Sequence, residues 1–89
     1  MRYIAAYDIS DDRRRLAVSK VLRKFGERVQ ESVFELRVSS EELAEARTQV
    51  GILLARDDVF DFFPVDDRPN RERFRWMIQP KQWDAVIFL

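Results

Sequence analysis

The sequence predicts an α+β protein: one ferredoxin-like domain over residues 1–89, of element order β-α-β-β-α-β with an added C-terminal strand. Three observations support this class. Short runs with apolar residues at every second position indicate strands, and two segments with apolar residues three and four positions apart indicate helices. The length allows a single domain, whose core is marginal because so short a chain buries only about 60–65% of its unfolded surface.

The chain opens with RYIAAYDI (residues 2–9), which is apolar on both faces and therefore typical of a central strand. Ser10 is a suitable N-cap for a first helix running to Phe25, and Gly26 is expected to end that helix in a left-handed conformation. The apolar stripe of this helix consists of Val18, Val21, Leu22 and Phe25.

The next segment, RVQESVFELRV (residues 28–38), alternates like one long strand. Ser39 and Glu42 form an S-x-x-E capping box that opens a second helix to about Ala55. Counted by apolar runs, the element order is β-α-β-α-β-β-β. If residues 28–38 are split or bulged, the order is β-α-β-β-α-β, and a ferredoxin-like sheet with an appended strand accommodates both.

Three apolar runs complete the chain. DDVFDFFPV (57–65) is a third strand, in which Pro64 indicates an edge or a strand end, and FRWMI (74–78) is a fourth. The tail, about residues 80–89, ends in WDAVIFL. It is expected to pair with an edge strand, and a second subunit could supply that strand. Because two helices cover only one face of a sheet, a homodimer with facing sheets is the simplest cover for the other.

Composition limits the chemistry. There is no cysteine and no histidine, which excludes disulfides, thiolate metal sites and histidine-based acid–base catalysis. Any hydrolysis would depend on carboxylates, lysine, tyrosine or a bound metal ion. No apolar stretch approaches the roughly 18 residues of a membrane span, and no secretory leader is recognisable, so a soluble, cytoplasmic protein without a membrane partner is expected.

Charge is segregated along the chain although the formal net charge is zero. Residues 1–30 carry eight Lys/Arg against four Asp/Glu, residues 31–67 carry three against ten, and residues 68–89 carry five against two. Two basic clusters stand out: Arg13, Arg14, Arg15 and Arg28 near the first helix, and Arg68, Arg71, Arg73 and Arg75 near the fourth strand. They indicate either contacts with nucleic-acid phosphates or ion pairs with neighbouring acids.

Asp8 is the strongest candidate for chemistry. A carboxylate at the end of an apolar strand, beside Tyr7, requires a pairing partner, hydrogen bonds or a metal ion. In a two-fold dimer, one Asp8 from each chain could share Mg²⁺ or Mn²⁺, with water completing the shell. The alternative is that Asp8 accepts hydrogen bonds from the backbone of the following turn. The phenylalanines are better explained by core packing than by base stacking.

The stretch YDISDDRRRLAVSKVLRKFGERVQESVFEL (residues 7–36) resembles the small CRISPR-associated endonuclease subunit of the spacer-acquisition machinery, the Cas-two family. The likeness is densest over residues 1–38 and extends as a pattern over nearly the whole chain. It implies a ferredoxin-like homodimer in which each C-terminal strand adds to the partner subunit. It also implies Asp8 as the metal-binding and catalytic residue.

The same resemblance implies nucleic-acid contacts by Arg15 and Arg28, with Arg13 and Arg14 as neighbours, and a structural or site-adjacent role for Ser32 and Phe34. Implied partners are the CRISPR integrase subunit, double-stranded DNA and single-stranded RNA. Where some members have a further basic residue two places after Arg15, this chain has Ala17. The function expected is a Mg²⁺-dependent phosphodiesterase of CRISPR adaptation; the alternatives are a non-catalytic DNA-binding scaffold and a toxin-like ribonuclease.

Overall fold

The structure, a computed structural model, describes residues 1–65 and 73–76. Its elements in chain order are β1 (Arg2–Asp8), α1 (Asp12–Leu22), β2 (Gly26–Gln30), β3 (Val33–Arg37), α2 (Ser40–Gly51), β4 (Val59–Pro64) and β5 (Phe74–Trp76). The strands form one antiparallel sheet in the order β2-β3-β1-β4-β5. This is the α+β architecture that the sequence predicts, with β1 at the centre.

The hydrophobic core lies between one face of the sheet and both helices. Side chains alternate along β1, so Tyr3, Ala5 and Tyr7 point to this face, and all three are buried. The helices and the neighbouring strands complete the cluster with Val18, Leu22, Phe34, Leu36, Leu43, Ala46, Val50, Phe60 and Phe62. The predicted apolar stripe of α1 is therefore confirmed at Val18 and Leu22, while Val21 and Phe25 are partly buried against this core.

The opposite face of the sheet is covered by neither α1 nor α2. In the strand register, Ile4 lies beside Phe63 and Ala6 beside Val33, and none of these four belongs to the helix-side core. We call this surface the outer face; it also carries Asp8 at the end of β1. Ile4, Val33 and Phe63 each keep part of their surface accessible.

The segment expected as one strand over residues 28–38 is a hairpin. β2 ends at Gln30, β3 begins at Val33, and the turn between them is held where the Tyr7 backbone N–H donates to the Ser32 carbonyl at 3.1 Å. The alternating pattern continues across the turn, which explains why the sequence reads as a single strand. The split order β-α-β-β-α-β is the correct alternative.

Both helices begin at polar caps but differ from the predicted bounds. The N-cap of α1 is Asp11 rather than Ser10, because its carboxylate accepts a hydrogen bond from the Arg14 backbone N–H at 2.9 Å. The same bond lowers the pKa of Asp11. The predicted capping box of Ser39 and Glu42 is confirmed, and α2 ends at Gly51, earlier than expected.

Gly26 does not end α1 in a left-handed conformation; it opens β2. A Cβ atom on Gly26 would lie 2.1 Å from the Glu35 carbonyl oxygen and 2.6 Å from Leu36 Cδ2. Glycine is required here because the backbones of β2 and β3 approach too closely for any side chain.

We expect Gly26→Ala to destabilise the fold by about 1–3 kcal/mol, as overpacking against a backbone group does. Gly51→Ala is the matched control: its Cβ would meet Trp76 at 3.8 Å, an ordinary contact, and alanine gains up to about 0.5–1 kcal/mol of helix propensity. Urea denaturation of both variants measures this. Equal midpoints for the two variants would contradict the close approach at Gly26.

The strand predicted over residues 57–65 is β4, which lies inside the sheet between β1 and β5. Pro64 stands at its last position, as predicted for a strand end. Of the predicted fourth strand, Phe74–Trp76 forms β5 beside β4. The expected C-terminal strand, about residues 80–89, lies outside the described residues. Neither helix among the described residues has the length and hydropathy needed to cross a membrane.

Candidate nucleic-acid interface

Asp8 is the last residue of β1 and lies beside Val59 of β4 in the strand register. Its side chain is exposed in the single chain, so the desolvation cost expected for a buried carboxylate does not arise there. Because strand side chains alternate, Asp8 points to the outer face and Tyr7 to the helix side. One end of the central strand therefore carries an acidic group on one face and a phenol on the other.

A single chain offers little to a metal ion. Over residues 1–65 and 73–76, no group of three or more acidic side chains could hold one. Hard cations such as Mg²⁺ need several oxygen ligands, although water can supply many of them. The residues present therefore fit such an ion only if a second copy of the chain brings its own Asp8 to the same place.

A recess of about 280 Å³ lies on the helix side, between α1 and the β2–β3 hairpin. Three of the predicted site residues line it, Tyr7, Arg15 and Arg28, and we call it the Tyr7 recess. The other lining residues are Asp12, Leu16, Ser19 and Glu31. The fold thus brings together residues that are up to 24 positions apart in the sequence.

Tyr7 is fixed within the core by its ring. It stacks on Phe60 with ring centroids 5.6 Å apart and on Phe34 at 6.4 Å. Its hydroxyl is buried and has no hydrogen-bond partner of ordinary geometry among the described residues. Burial raises the pKa of Tyr7, and the positive charges of Arg28, Arg15 and Arg23 act in the opposite direction.

Arg15 and Arg28 are held at the rim of the Tyr7 recess. Arg15 donates to the Ile9 carbonyl at 3.0 Å and also pairs with Asp12, one turn earlier on α1. The Arg28 guanidinium lies over the Phe34 ring, 5.6 Å from its centroid. Phe34 thus supports a basic side chain, and Ser32 shapes the turn next to it.

Arg14 points elsewhere. Its Nε and Nη2 donate to the two carboxylate oxygens of Asp58, at 2.8 and 3.1 Å, and this bidentate pair raises the pKa of Arg14. Asp58 is buried and also accepts from the Ala55 backbone N–H at 2.8 Å. Arg14 therefore ties α1 to the loop before β4, while Arg13 is exposed on the first turn.

The sequence reasoning missed a second buried carboxylate, Asp61 in β4. Arg73 donates to it at 3.1 and 2.6 Å, and Arg75 at 3.1 and 2.9 Å. Two arginines assigned to a phosphate-binding cluster are thus engaged by an acid, and Arg68 and Arg71 lie outside the described residues. The signal was present, since an aspartate inside the apolar run VFDFF requires a partner.

These features define a class: a small ferredoxin-like protein with a carboxylate at the end of its central strand and a basic recess beside it. Residues 1–73 match the family model described as CRISPR associated protein Cas2. The chain therefore belongs to the Cas2 family, in agreement with the resemblance found in its sequence.

Curated relatives agree with this family. The chain is 44% identical over 64 residues to "CRISPR-associated endoribonuclease Cas2 4" of Rhodospirillum rubrum. This alignment covers 71% of this chain and 52% of that relative. It is 39% identical over 64 residues to "CRISPR-associated endoribonuclease Cas2 3" of Synechocystis, covering 71% and 70%. The chain thus spans about half the length of the first relative.

Solved structures share the fold. The crystal structure of a hypothetical protein, TT1823, from Thermus thermophilus superposes with a TM-score of 0.70 at 34% identity, over 85% of this chain and 94% of that one. Cas2 of Streptococcus pyogenes gives a TM-score of 0.69 at 21% identity, over 97% and 94%. The second likeness concerns the fold alone.

Proposed function

We propose that this protein is a dimeric, metal-dependent phosphodiesterase of CRISPR adaptation that binds nucleic acid and bridges copies of the integrase. One observation supports this proposal most directly. Two neighbouring residues at the end of β1 serve different sides of the sheet: Asp8 exposes a carboxylate on the outer face, and Tyr7 lines the basic recess on the helix side. The names of the relatives, endoribonuclease and endonuclease, support phosphodiester cleavage.

The proposed dimer forms through the outer face. Ile4, Val33 and Phe63 leave apolar surface there that neither helix covers, and burying apolar surface is the main driving force for association. The ion pairs of Glu35 and Asp61 with neighbouring arginines lie on the same face and surround this apolar surface. Asp8 lies at the end of the same face, so a two-fold axis near it would bring two carboxylates together. Two copies stacked in this way also resolve the marginal core of so small a chain.

Within the dimer, one Asp8 from each chain would hold Mg²⁺ or Mn²⁺, which when bound supplies an activated water and stabilises charge on the phosphodiester. Arg15, Arg28 and Arg13 would bind and orient the backbone. Because this chain has Ala17 where some family members have a basic residue, fewer side chains would orient the nucleic-acid backbone. A cytoplasmic location follows from the proposed role in adaptation.

The alternative function is a non-catalytic scaffold that binds double-stranded DNA while the integrase performs the chemistry. One observation favours it: a single chain has only one carboxylate at the proposed centre and no acidic cluster elsewhere in its described part. Cleavage therefore depends wholly on dimer formation, whereas binding by Arg15 and Arg28 does not.

Metal removal tests the proposal. We expect the purified protein to sediment as a dimer and to cleave single-stranded RNA or duplex DNA with added Mg²⁺ or Mn²⁺, and EDTA to abolish cleavage while leaving nucleic-acid binding in place. Cleavage that persists in EDTA would overturn the metal mechanism. A folded monomer would overturn the shared site, and tight binding without cleavage at any metal concentration would favour the scaffold.

A further inference from the structure

The Tyr7 recess contains a buried hydrogen-bond donor that the described protein does not use. Tyr7 is 4% exposed and lines the recess, and its buried hydroxyl meets no acceptor of ordinary geometry among the described residues. An unpartnered buried hydroxyl is costly, so native structures seldom keep one without a role. The stacked rings of Phe60 and Phe34 hold the tyrosine ring, and with it the hydroxyl oxygen, in place.

The charges around this hydroxyl indicate which acceptor would suit it. Arg28, Arg15 and Arg23 act on Tyr7 as positive charges, and Arg28 also approaches its hydroxyl oxygen as a donor. Because arginine cannot accept a hydrogen bond, the O–H group of Tyr7 still lacks an acceptor. The acids Asp12 and Glu31 also line the recess, but the Asp12 side chain is 87% exposed and pairs with Arg15 from the solvent side. An anion inside the recess would therefore face arginine and phenol donors, with the acids at its mouth.

The number of donors around the recess distinguishes two kinds of phosphate. A phosphodiester within a strand carries a nucleoside on each side, one negative charge and only two free oxygens, so it leaves part of a phenol and two guanidinium groups unused. A terminal phosphate has a substituent on one side only, three free oxygens and a charge of about −1.5 to −2 at neutral pH. It can enter and accept from a phenol and two guanidinium groups at once.

We propose that the Tyr7 recess binds the terminal phosphate monoester of a nucleic-acid strand, with the Tyr7 hydroxyl donating to a phosphate oxygen and Arg15 and Arg28 pairing with its charge. This inference rests on the proposed nucleic-acid binding and makes it specific for strand ends. The monoester can stand at either end of the strand, and the experiment below separates the two.

The test compares one oligonucleotide sequence with a 5′-phosphate, a 3′-phosphate or hydroxyls at both ends. Dissociation constants are measured by fluorescence anisotropy with the full chain at one fixed salt concentration, because phosphate binding is salt-dependent. We expect one phosphorylated form to bind about tenfold more tightly than the hydroxyl form, as a hydrogen bond to a charged group implies. In Tyr7→Phe this ratio should fall severalfold without vanishing, because Arg15 and Arg28 still pair with the charge of the monoester.

Tyr3→Phe is the matched control, since it makes the same change on the same strand and face outside the recess, and it should keep the preference. The melting temperature of Tyr7→Phe should change little, because the Tyr7 O–H group donates to no acceptor of ordinary geometry among the described residues. A much lower melting temperature would assign the hydroxyl a structural role and overturn the proposal, as would an undiminished preference in Tyr7→Phe.

The outcomes separate this inference from the proposed function. If all three oligonucleotides bind equally and Arg15→Ala weakens each of them, the recess has no preference for strand ends, while nucleic-acid binding stands. If none binds, both proposals fail. If a phosphate preference appears in a protein that cleaves nothing, the recess is supported and the nuclease is not.

Discussion

Asp61→Ala is expected to lower the free energy of unfolding by about 3 kcal/mol, the lower end of the roughly 3–5 kcal/mol observed when one partner of a buried ion pair is removed. The Asp61 side chain is fully buried between two arginines, whereas those of Arg73 and Arg75 are 38% and 24% exposed. The arginines can partly rehydrate, which limits the loss. Because small domains are stable by only about 5–15 kcal/mol, this is a large fraction.

The loss should be concentrated in β5. That strand has three residues, and Arg75 lies directly opposite Asp61 in its pairing with β4. Removing the carboxylate leaves two like charges close together, Arg75 on this short strand and Arg73 just before it. Hydrogen exchange should therefore show faster exchange of Phe74–Trp76 than of β1, together with a lower urea midpoint, both measured at one protein concentration because a dimer is stabilised by mass action.

Asp57→Ala is the control, since Asp57 is exposed in the loop before β4 and surface substitutions usually change stability by less than about 0.5 kcal/mol. Asp61→Leu combined with Arg73→Met and Arg75→Met should recover most of the loss, as apolar replacement of whole buried ion clusters does. If Asp61→Ala and Asp57→Ala unfold at the same urea concentration, the ion cluster contributes nothing to the fold.

Much of the fold follows from local pattern. The alternation in RYIAAYDI and the stripes of both helices report burial directly, and Ser39 and Glu42 mark a helix start through a short-range bond. The hairpin turn at residues 31–32 was not predicted, because the apolar alternation has the same period on both sides of the turn. The role of Gly26 was not predicted, because it depends on the distance to the Glu35 carbonyl of another strand.

The candidate site was less accessible to sequence reasoning. Arg13, Arg14 and Arg15 are adjacent in the chain and look equivalent, yet helix geometry turns Arg14 towards Asp58, 44 positions away, and leaves Arg15 beside Tyr7. The sequence suggested that the Asp8 carboxylate is buried, because apolar residues stand on both sides of it in the chain. The structure shows that it is exposed, since it is the last residue of β1. Only the fold decides which charges meet a partner.

Asp8→Asn is expected to reduce metal-dependent cleavage by on the order of 100-fold or more. The substitution keeps the size of the side chain and removes the charge that the shared ion needs. Metal ions stabilise such transition states by several kcal/mol, and each 1.36 kcal/mol corresponds to a factor of ten in rate. Since Asp8 is exposed in the single chain, the melting temperature should change little, and Arg15-dependent binding should persist.

Asp11→Asn provides the same change three positions away. Asn caps helices about as well as Asp, so the N-cap of α1 is kept while one negative charge is lost. Cleavage by this variant should equal that of the unaltered chain. Equal activity of Asp8→Asn and Asp11→Asn would remove Asp8 from the reaction.

Spacer integration, assayed with the same pair of variants, decides between nuclease and scaffold. If Asp8→Asn loses cleavage but supports integration, the cleavage is dispensable for adaptation and the arginine contacts carry the role. If integration is lost while DNA binding is normal, Asp8 belongs to the process itself. Asp8 lies on the outer face, where the two chains of the proposed dimer meet. A loss of dimer formation in Asp8→Asn would therefore mean that the carboxylate stabilises this contact.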